Sequence, residues 1–520
     1  MTLTVTTWGC PQRCAGSEYT PPVRRTLAAP HAQCDYALTT TVGLLRYREN
    51  LILVEDARAV LAAEGVAPSL ATVARQGHEF LVRFALLCEK LLPPALALRP
   101  LWVLQIDGTV VRNGPVTFRA REALTGVTLL ARQLVVEDLD SVVGFLRELR
   151  GLYGVPVVVV RDLSPTLKLA LGEVYPGVPQ QEDHFHWLQD LGPKLLVDYE
   201  PLREALLAGK ALAHLAEWSR GLPLRGRALE ELERVWVRLA LEHIEGARAA
   251  SGGFPFRLPY LVLWERATWV LARTEEMIRG NVRRGTMVIE VVELKERLRR
   301  LLSREAVGLR ADRVESERGV WEGLREALRL ERSRRSREPI GPMTEADVAE
   351  ARARIEEVLG RFRERGDWAV AVAERVERYY RDHEGFLWSR PGLCRSTVEL
   401  ERAHREDRHG IRRRTGQGDT GDEMGRVGSL LAMSSNLGCP WFLESVLTGV
   451  DLLGEFARQD PGEVHRRMRA LPREGRRPCV PVSAGKRQEM LQALVDLVEG
   501  TSPLDLGLRS WARVVEAPSG

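Results

Sequence analysis

The chain has 520 residues, 44% of them apolar and 28% charged, with a formal net charge of +4; so long a chain exceeds one hydrophobic core and predicts roughly two to four domains. This composition excludes an intrinsically disordered chain, and no apolar run approaches the roughly 20 residues that cross a bilayer, so no membrane partner is expected. The small net charge names no partner; the arginine-rich choice of bases suits bidentate phosphate contacts and is equally what a GC-rich gene would encode.

The N-terminal MTLTVTTWGCPQRC lacks the basic start and apolar core of a secretory signal, which predicts a cytoplasmic protein. Seven cysteines in so long a chain do not make a disulfide framework. Cys10, Cys14, His31 and Cys34 have the donor types to ligate one Zn²⁺; reduced, unpaired thiols are the alternative. Residues 1–35 are therefore set apart as a zinc knuckle or a flexible segment. Residues 36–95 read as helical. Within them LVEDARAVLAAEGVAPSLATVARQGHEFL predicts a helix, a break at Gly65 and a second helix capped by Ser69. That is helix-turn-helix spacing, whose second helix would enter a DNA major groove; a plain core helix pair has the same look.

The texture changes at Leu101. LWVLQIDGTVV predicts a strand running into Asp-Gly, and VTFRAREAL and GVTLLARQLV predict a hairpin about Thr125-Gly126. SVVGFLRELRGLYG predicts a helix closed by glycine, VPVVVVRD a buried strand, and SPTLKLALGEVYPG a helix opening at Ser164-Pro165. The order describes a mixed α/β core. From about Trp187 to Arg390 the chain is almost wholly helical, rich in Leu, Glu and Arg at helical spacing, with a hinge at RSRRSREPIGPM. RSTVELERAHREDRHGIRRRTGQG then predicts a very basic helix capped by Ser396/Thr397. EMGRVGSLLAMSSNLGCPWFLESVLTG predicts a packed helix and a turn, and VVEAPSG a loose end.

Two features carry chemistry. Asp107 lies at or near the end of the strand WVLQID, and Asp162 lies just beyond VVVV. Neighbouring strands would bring both carboxylates to one sheet edge, where hard divalent cations are bound with substrate phosphate. Between Val178 and Gly192, VPQQEDHFHWLQDLG packs Glu182, Asp183, His184 and His186 together, which alone reads as a zinc site, an acid/base pair or a polar loop.

The order of these motifs resembles bacterial DDE-type transposases of the Mutator-like kind, with their ribonuclease H-like catalytic domain. The likeness spans most of residues 10–450. It is carried by Asp107-Gly108-Thr109, by Asp162 after VPVVVV, and by PGVPQQEDHFH with Asp183 and His186 as the D-x-x-H signature. A late basic helix matches at Arg395, Leu400 and Glu401, and SSNLGCP matches the family's ending at Asn436, Leu437 and Pro440. Departures fall at Thr397-Val398, where the family has an asparagine pair, and at Glu399, a second acid near Glu401 on a different helix face.

The resemblance implies a ribonuclease H-like mixed sheet with a large helical insertion. Residues 98–190 and 393–455 would form the catalytic domain, 191–392 the insertion and 456–520 a tail region. It implies two Mg²⁺ or Mn²⁺ ions held by Asp107, Asp162 and Glu401, with Asp183 and His186 shaping the site. His404, Arg405, Arg408 and Arg412, along the helix of Glu401, would face DNA phosphates. The implied partners are double-stranded DNA, as element ends and target, and further copies of the chain. The implied reaction is cleavage and strand transfer of DNA at the ends of a mobile element. A transposase-derived DNA-binding protein without activity and a metal-dependent nuclease of the same fold are the alternatives.

Overall fold

The computed structural model describes residues 34–48, 53–110, 115–208, 211–221, 228–247, 253–282, 289–330, 341–415 and 420–471, with a short ladder between Trp8–Gly9 and Glu18–Tyr19 and the single residue Ala28. Cys10, Cys14 and His31 lie outside the described residues. Cys34 is described; burial pushes its thiol pKa up, with Arg75 opposing.

One five-stranded sheet anchors the molecule. Its strands are β1 (Val103–Val110), β2 (Val116–Glu122), β3 (Thr128–Leu134), β4 (Val158–Arg161) and β5 (Gln180–Glu182), in the spatial order β3-β2-β1-β4-β5. The first three form an antiparallel meander, with the β2–β3 hairpin turning at Thr125-Gly126 as the sequence predicts; β4 and β5 run parallel to β1. β5 was not legible in the sequence, because its three residues, Gln-Gln-Glu, carry no apolar or β-branched signal.

The strand alternation gives the sheet two unlike faces. Leu104 and Ile106 join a large apolar core with Phe118, Leu130 and Val159. Helices α1 (Tyr36–Tyr47), α3 (Leu70–Ala97), α4 (Leu139–Tyr153) and α5 (Pro165–Val174) contribute to that core. The opposite face begins apolar at Val103, Val158 and Val160 and becomes polar at Gln105, Asp107 and Thr109, all buried. At the step between Asp107 and Thr109, a side chain on Gly108 would come within 2.8 Å of the Phe118 ring.

Helix α2 (Val54–Ala63), the turn at Gly65 and α3 form the expected helix pair, and Ser69 accepts a capping bond from Thr72 N at 3.1 Å. α3 runs for 28 residues and buries Phe80, Phe84, Leu87 and Cys88 in the sheet core. Near its N-terminus Leu70, Ala71 and Arg75 are exposed, while Val73 is buried.

After β5 the chain enters a helical body, from α6 (His184–Leu195) to the helix Asp367–Leu387, with a separate apolar core of leucines, valines and tryptophans. The chain leaves it beside its starting point: His184 N donates to Arg395 O at 3.2 Å. The basic helix Val398–Thr415 then crosses the polar face of the sheet, and the helix Gly421–Ser434 packs against β2 and β3. Residues 456–471, expected in a tail, instead close the sheet core: Phe456 is buried with its ring 5.9 Å from that of Phe80, and a helix follows over Pro461–Ala470. Among the described residues, no helix is long and apolar enough to cross a membrane. The whole is mostly helical around one mixed sheet, compatible with a ribonuclease H-like core carrying a helical insertion.

Candidate active site

The register fixes the two aspartates. Gln105 on β1 pairs with Val160 on β4 in a parallel ladder. Asp107 and Asp162 each lie two residues further on, so they stand level at the same end of adjacent strands and on the same face. β1 continues past Asp107 to Val110 because it still pairs with β2, Asp107 opposite Arg119. Asp162 is free of the ladder and accepts Ser164 N at 2.9 Å, which turns the chain into α5.

The third carboxylate arrives from the other end of the helical body. In Val398–Thr415, Leu400, His404 and Ile411 are buried, and Asp407 pairs with the buried Arg119 of β2 at 3.2 Å. Spacing of four, three and four makes this the stripe pressed on the sheet. Arg119 also donates to Thr128 and Ser435, so its charge is fully engaged. The next stripe, Glu401, Arg405, Arg408 and Arg412, looks outward, with Arg405 and Arg412 exposed.

A cleft of about 360 Å³ opens where these parts meet. Asp107, Asp162 and Glu401 line it together, joined by His186 and His404 and, at the rim, by Arg405 and Arg408. Burial, joined by the negative charges of Asp162 and Glu401, pushes Asp107 up to about 7, against an opposing pull from His186.

His186 connects this cleft to the D-x-x-H signature. Its Nδ1 donates to Asp183 at 2.8 Å, and its Nε2 lies 3.1 Å from Glu401 Oε1. Burial alone would lower the imidazole pKa, but Asp183 and Glu401 outweigh it and raise it to about 11. Asp183 is fully buried; burial opposes its charge, yet bonds from His186 and Thr397 hold it at about 2. Thr397 donates both its backbone N–H, at 2.9 Å, and its hydroxyl, at 2.5 Å. Thr397 was expected to cap the basic helix with its side chain; instead that hydroxyl crosses to Asp183.

The other members of the crowded Glu182–His186 stretch face elsewhere. Glu182 on β5 pairs with Arg161 at 3.0 Å and His383 at 2.6 Å. His184 sits against Trp388, its Nε2 2.8 Å from Leu387 O and its Nδ1 3.2 Å from Arg395. Burial, then the Arg395 charge, lowers its pKa to about 4. The four clustered side chains thus serve two sites, because strand and helix geometry send them in different directions.

His404 differs from its expected place. It does not lie on an exposed DNA-facing side; it is buried in the cleft floor, since three residues from Glu401 carries it onto the sheet-facing stripe. Burial first, then Arg119 and Arg408, lowers its pKa to about 3, so the ring is neutral. Glu399, the second acid, pairs with Arg402 at 2.9 Å and is not among the residues lining the cleft. Asn436 is also fully engaged: its side chain accepts from Thr128 N at 2.8 Å and donates to Thr128 O at 2.9 Å, as a neighbouring strand would. Sequence reasoning missed Thr397, Gln105 and Arg119 as supports of the site. Gln105 donates to Ser396 O at 2.7 Å and so ties β1 to the segment before Glu401.

Among the described residues, no three Asp, Glu, His or Cys side chains stand close enough, as placed, to enclose a cation. The chemistry of the donor set fits one all the same. Three carboxylates share one cleft, and both ring nitrogens of the buried His404 have no hydrogen-bond partner.

No protein-family profile matches the chain, and no curated protein matches it. Among solved structures it is similar to the Drosophila P element transposase strand transfer complex, at 12% identity and a TM-score of 0.33, over 82% of this chain and 94% of that one. So slight a likeness carries no weight for what the site does.

Proposed function

We propose that the chain is a DNA transposase of the DDE type, cleaving DNA at the ends of a mobile element and joining the freed ends to target DNA. The observation that carries this reading is the meeting of Asp107, Asp162 and Glu401 in one cleft, although the helical body separates the third acid from the first two. Arginines at the rim suit a phosphate backbone beside those acids.

Asp107, Asp162 and Glu401 would hold two Mg²⁺ or Mn²⁺ ions. Bound divalent cations supply charge neutralisation and activation of the attacking oxygen in phosphoryl transfer. The protein's own share is placement. The strand ladder fixes Asp107 and the bond from Ser164 N holds Asp162, while Asp183 and Thr397 hold His186 against Glu401. Arg405, Arg408 and Arg412 would bind the DNA backbone, and the N-terminal part of α3, with Arg75, would give a further contact. Water would first attack a phosphodiester at the element's end, and the released 3′-hydroxyl would then attack the target strand. The D-x-x-H signature is a clamp on the third acid in this reading, and Thr397 completes the clamp.

Glu401→Gln tests the reading. Strand cleavage in Mg²⁺ or Mn²⁺ is expected to fall at least about a thousandfold, within the range by which metal-centred stabilisation lowers barriers, while DNA binding by gel shift stays within about twofold. Full cleavage by the variant would remove Glu401 and the proposed triad.

A further inference from the structure

We propose that His404 is a nitrogen donor to a cation held at Asp107, so that the cleft favours a first-row transition cation over Mg²⁺. This rests on the reading just given, which needs three carboxylates and no imidazole. His404 is buried, lines the cleft, and has no hydrogen-bond partner on either ring nitrogen. A buried polar ring in that state calls for a partner that the protein itself does not supply. Its nearest ionic neighbour is Asp107, with Nε2 3.9 Å from Oδ2. That distance is too long for a hydrogen bond, yet it is the spacing of two ligands on one cation, about 3 to 4 Å apart for bonds near 2.1 Å.

The surroundings favour the same conclusion. Arg119, the sheet cation that acts on His404, is already taken by Asp407, Thr128 and Ser435. Glu401 is held by His186 and Asp162 by Ser164 N, whereas neither Asp107 nor His404 gives up a bond to another side chain by taking a cation. Mg²⁺ prefers oxygen ligands, whereas imidazole binds first-row transition cations well. An unpartnered imidazole at the cleft floor therefore shifts selection toward the latter.

Mn²⁺ is the probe, added to the full chain without DNA. Its binding is followed by electron paramagnetic resonance and its ligands by electron spin echo modulation, which detects a coordinated nitrogen. Wild-type protein is expected to show one histidine nitrogen on Mn²⁺, and ¹⁵N-histidine labelling should change its coupling. His404→Gln, which preserves side-chain bulk, should remove that coupling and weaken Mn²⁺ binding about tenfold. Mg²⁺ binding, measured by competition, should change by less than about twofold. Asp107→Asn should abolish Mn²⁺ binding.

Asp107-dependent Mn²⁺ without nitrogen coupling in the wild type would overturn the role of His404 and leave the carboxylate triad standing. Nitrogen coupling that persists in His404→Gln would do the same, since His186 is then the donor. Absence of any Asp107-dependent Mn²⁺ would overturn both.

Discussion

Thr397 hands two hydrogen bonds to one oxygen of Asp183, and Asp183 in turn orients His186 toward Glu401. Thr397→Val keeps the shape and the backbone bond but deletes the hydroxyl. A buried carboxylate that loses one charge-assisted bond should cost about 1.5–3 kcal/mol of stability, measurable by urea unfolding. If Asp183 positions Glu401 through His186, cleavage should fall further than folding does. Unchanged stability would show that the hydroxyl is not bonded to Asp183. His186→Asn separates the same parts differently: it leaves Asp183 a donor and withdraws the contact from Glu401. The expected result is a fall in kcat of at least about tenfold with little change in DNA affinity. An equal loss of both would make His186 a general structural residue.

At the scale of the element, everything turns on the phase of the basic helix Val398–Thr415. Leu400, His404, Asp407 and Ile411 face the sheet, and the flanking stripe runs from Glu401 in the cleft through Arg408 to the exposed Arg405 and Arg412. If the outer stripe follows a DNA backbone, Arg405→Ala and Arg412→Ala should each lower the salt dependence of DNA binding by about one charge, nearly independent of sequence. Retention of the full slope in both would place the DNA elsewhere. The sequence made the acids and basic residues of this helix visible but not its phase, because His404 is polar and sits at a spacing compatible with either stripe. The strands of the meander were legible for the opposite reason: long β-branched and apolar runs with a glycine turn leave little choice. The third parallel strand escaped because Gln180–Glu182 owes its conformation to backbone pairing with β4.

At the scale of the whole molecule, the helical body has its own core and its own buried charge. Glu317, fully buried, accepts from Asp198 N at 3.3 Å through one oxygen, while its other oxygen has no partner. Burial, then the nearby Asp198 charge, raises its pKa to about 8. With a folded pKa above the unfolded one, the folded state binds more protons between about pH 4.5 and 8, so this group erodes stability as pH rises through that window. Glu317→Gln should therefore stabilise the protein by about 1–3 kcal/mol at pH 8 and hardly at all near pH 4. A gain equal at both pH values would show that burial does not hold the proton there.

The helical body's start and finish meet beside β5, where His184 N reaches Arg395 O and Asp183 reaches Thr397. Arg395 also donates to Leu328 O and, at 2.7 Å, to Gly341 O, binding the body's later helices to the same point. The sequence signalled a long helical stretch through its Leu/Glu/Arg periodicity, but not this closure, which depends on hydrogen bonds between residues far apart in the chain. Its closure is what delivers Glu401 to the two aspartates.

As proposed, this cleft cuts and joins DNA. Its most direct test uses DNA carrying the sequences that flank the gene, purified full-length protein, and Mg²⁺ or Mn²⁺, with strand-specific end labels to resolve the products and Asp107→Asn alongside. Metal-dependent cuts at discrete flanking positions are expected, followed by joined products when target DNA is supplied, and neither with the variant. Specific binding of those ends with no cut in either metal would contradict it.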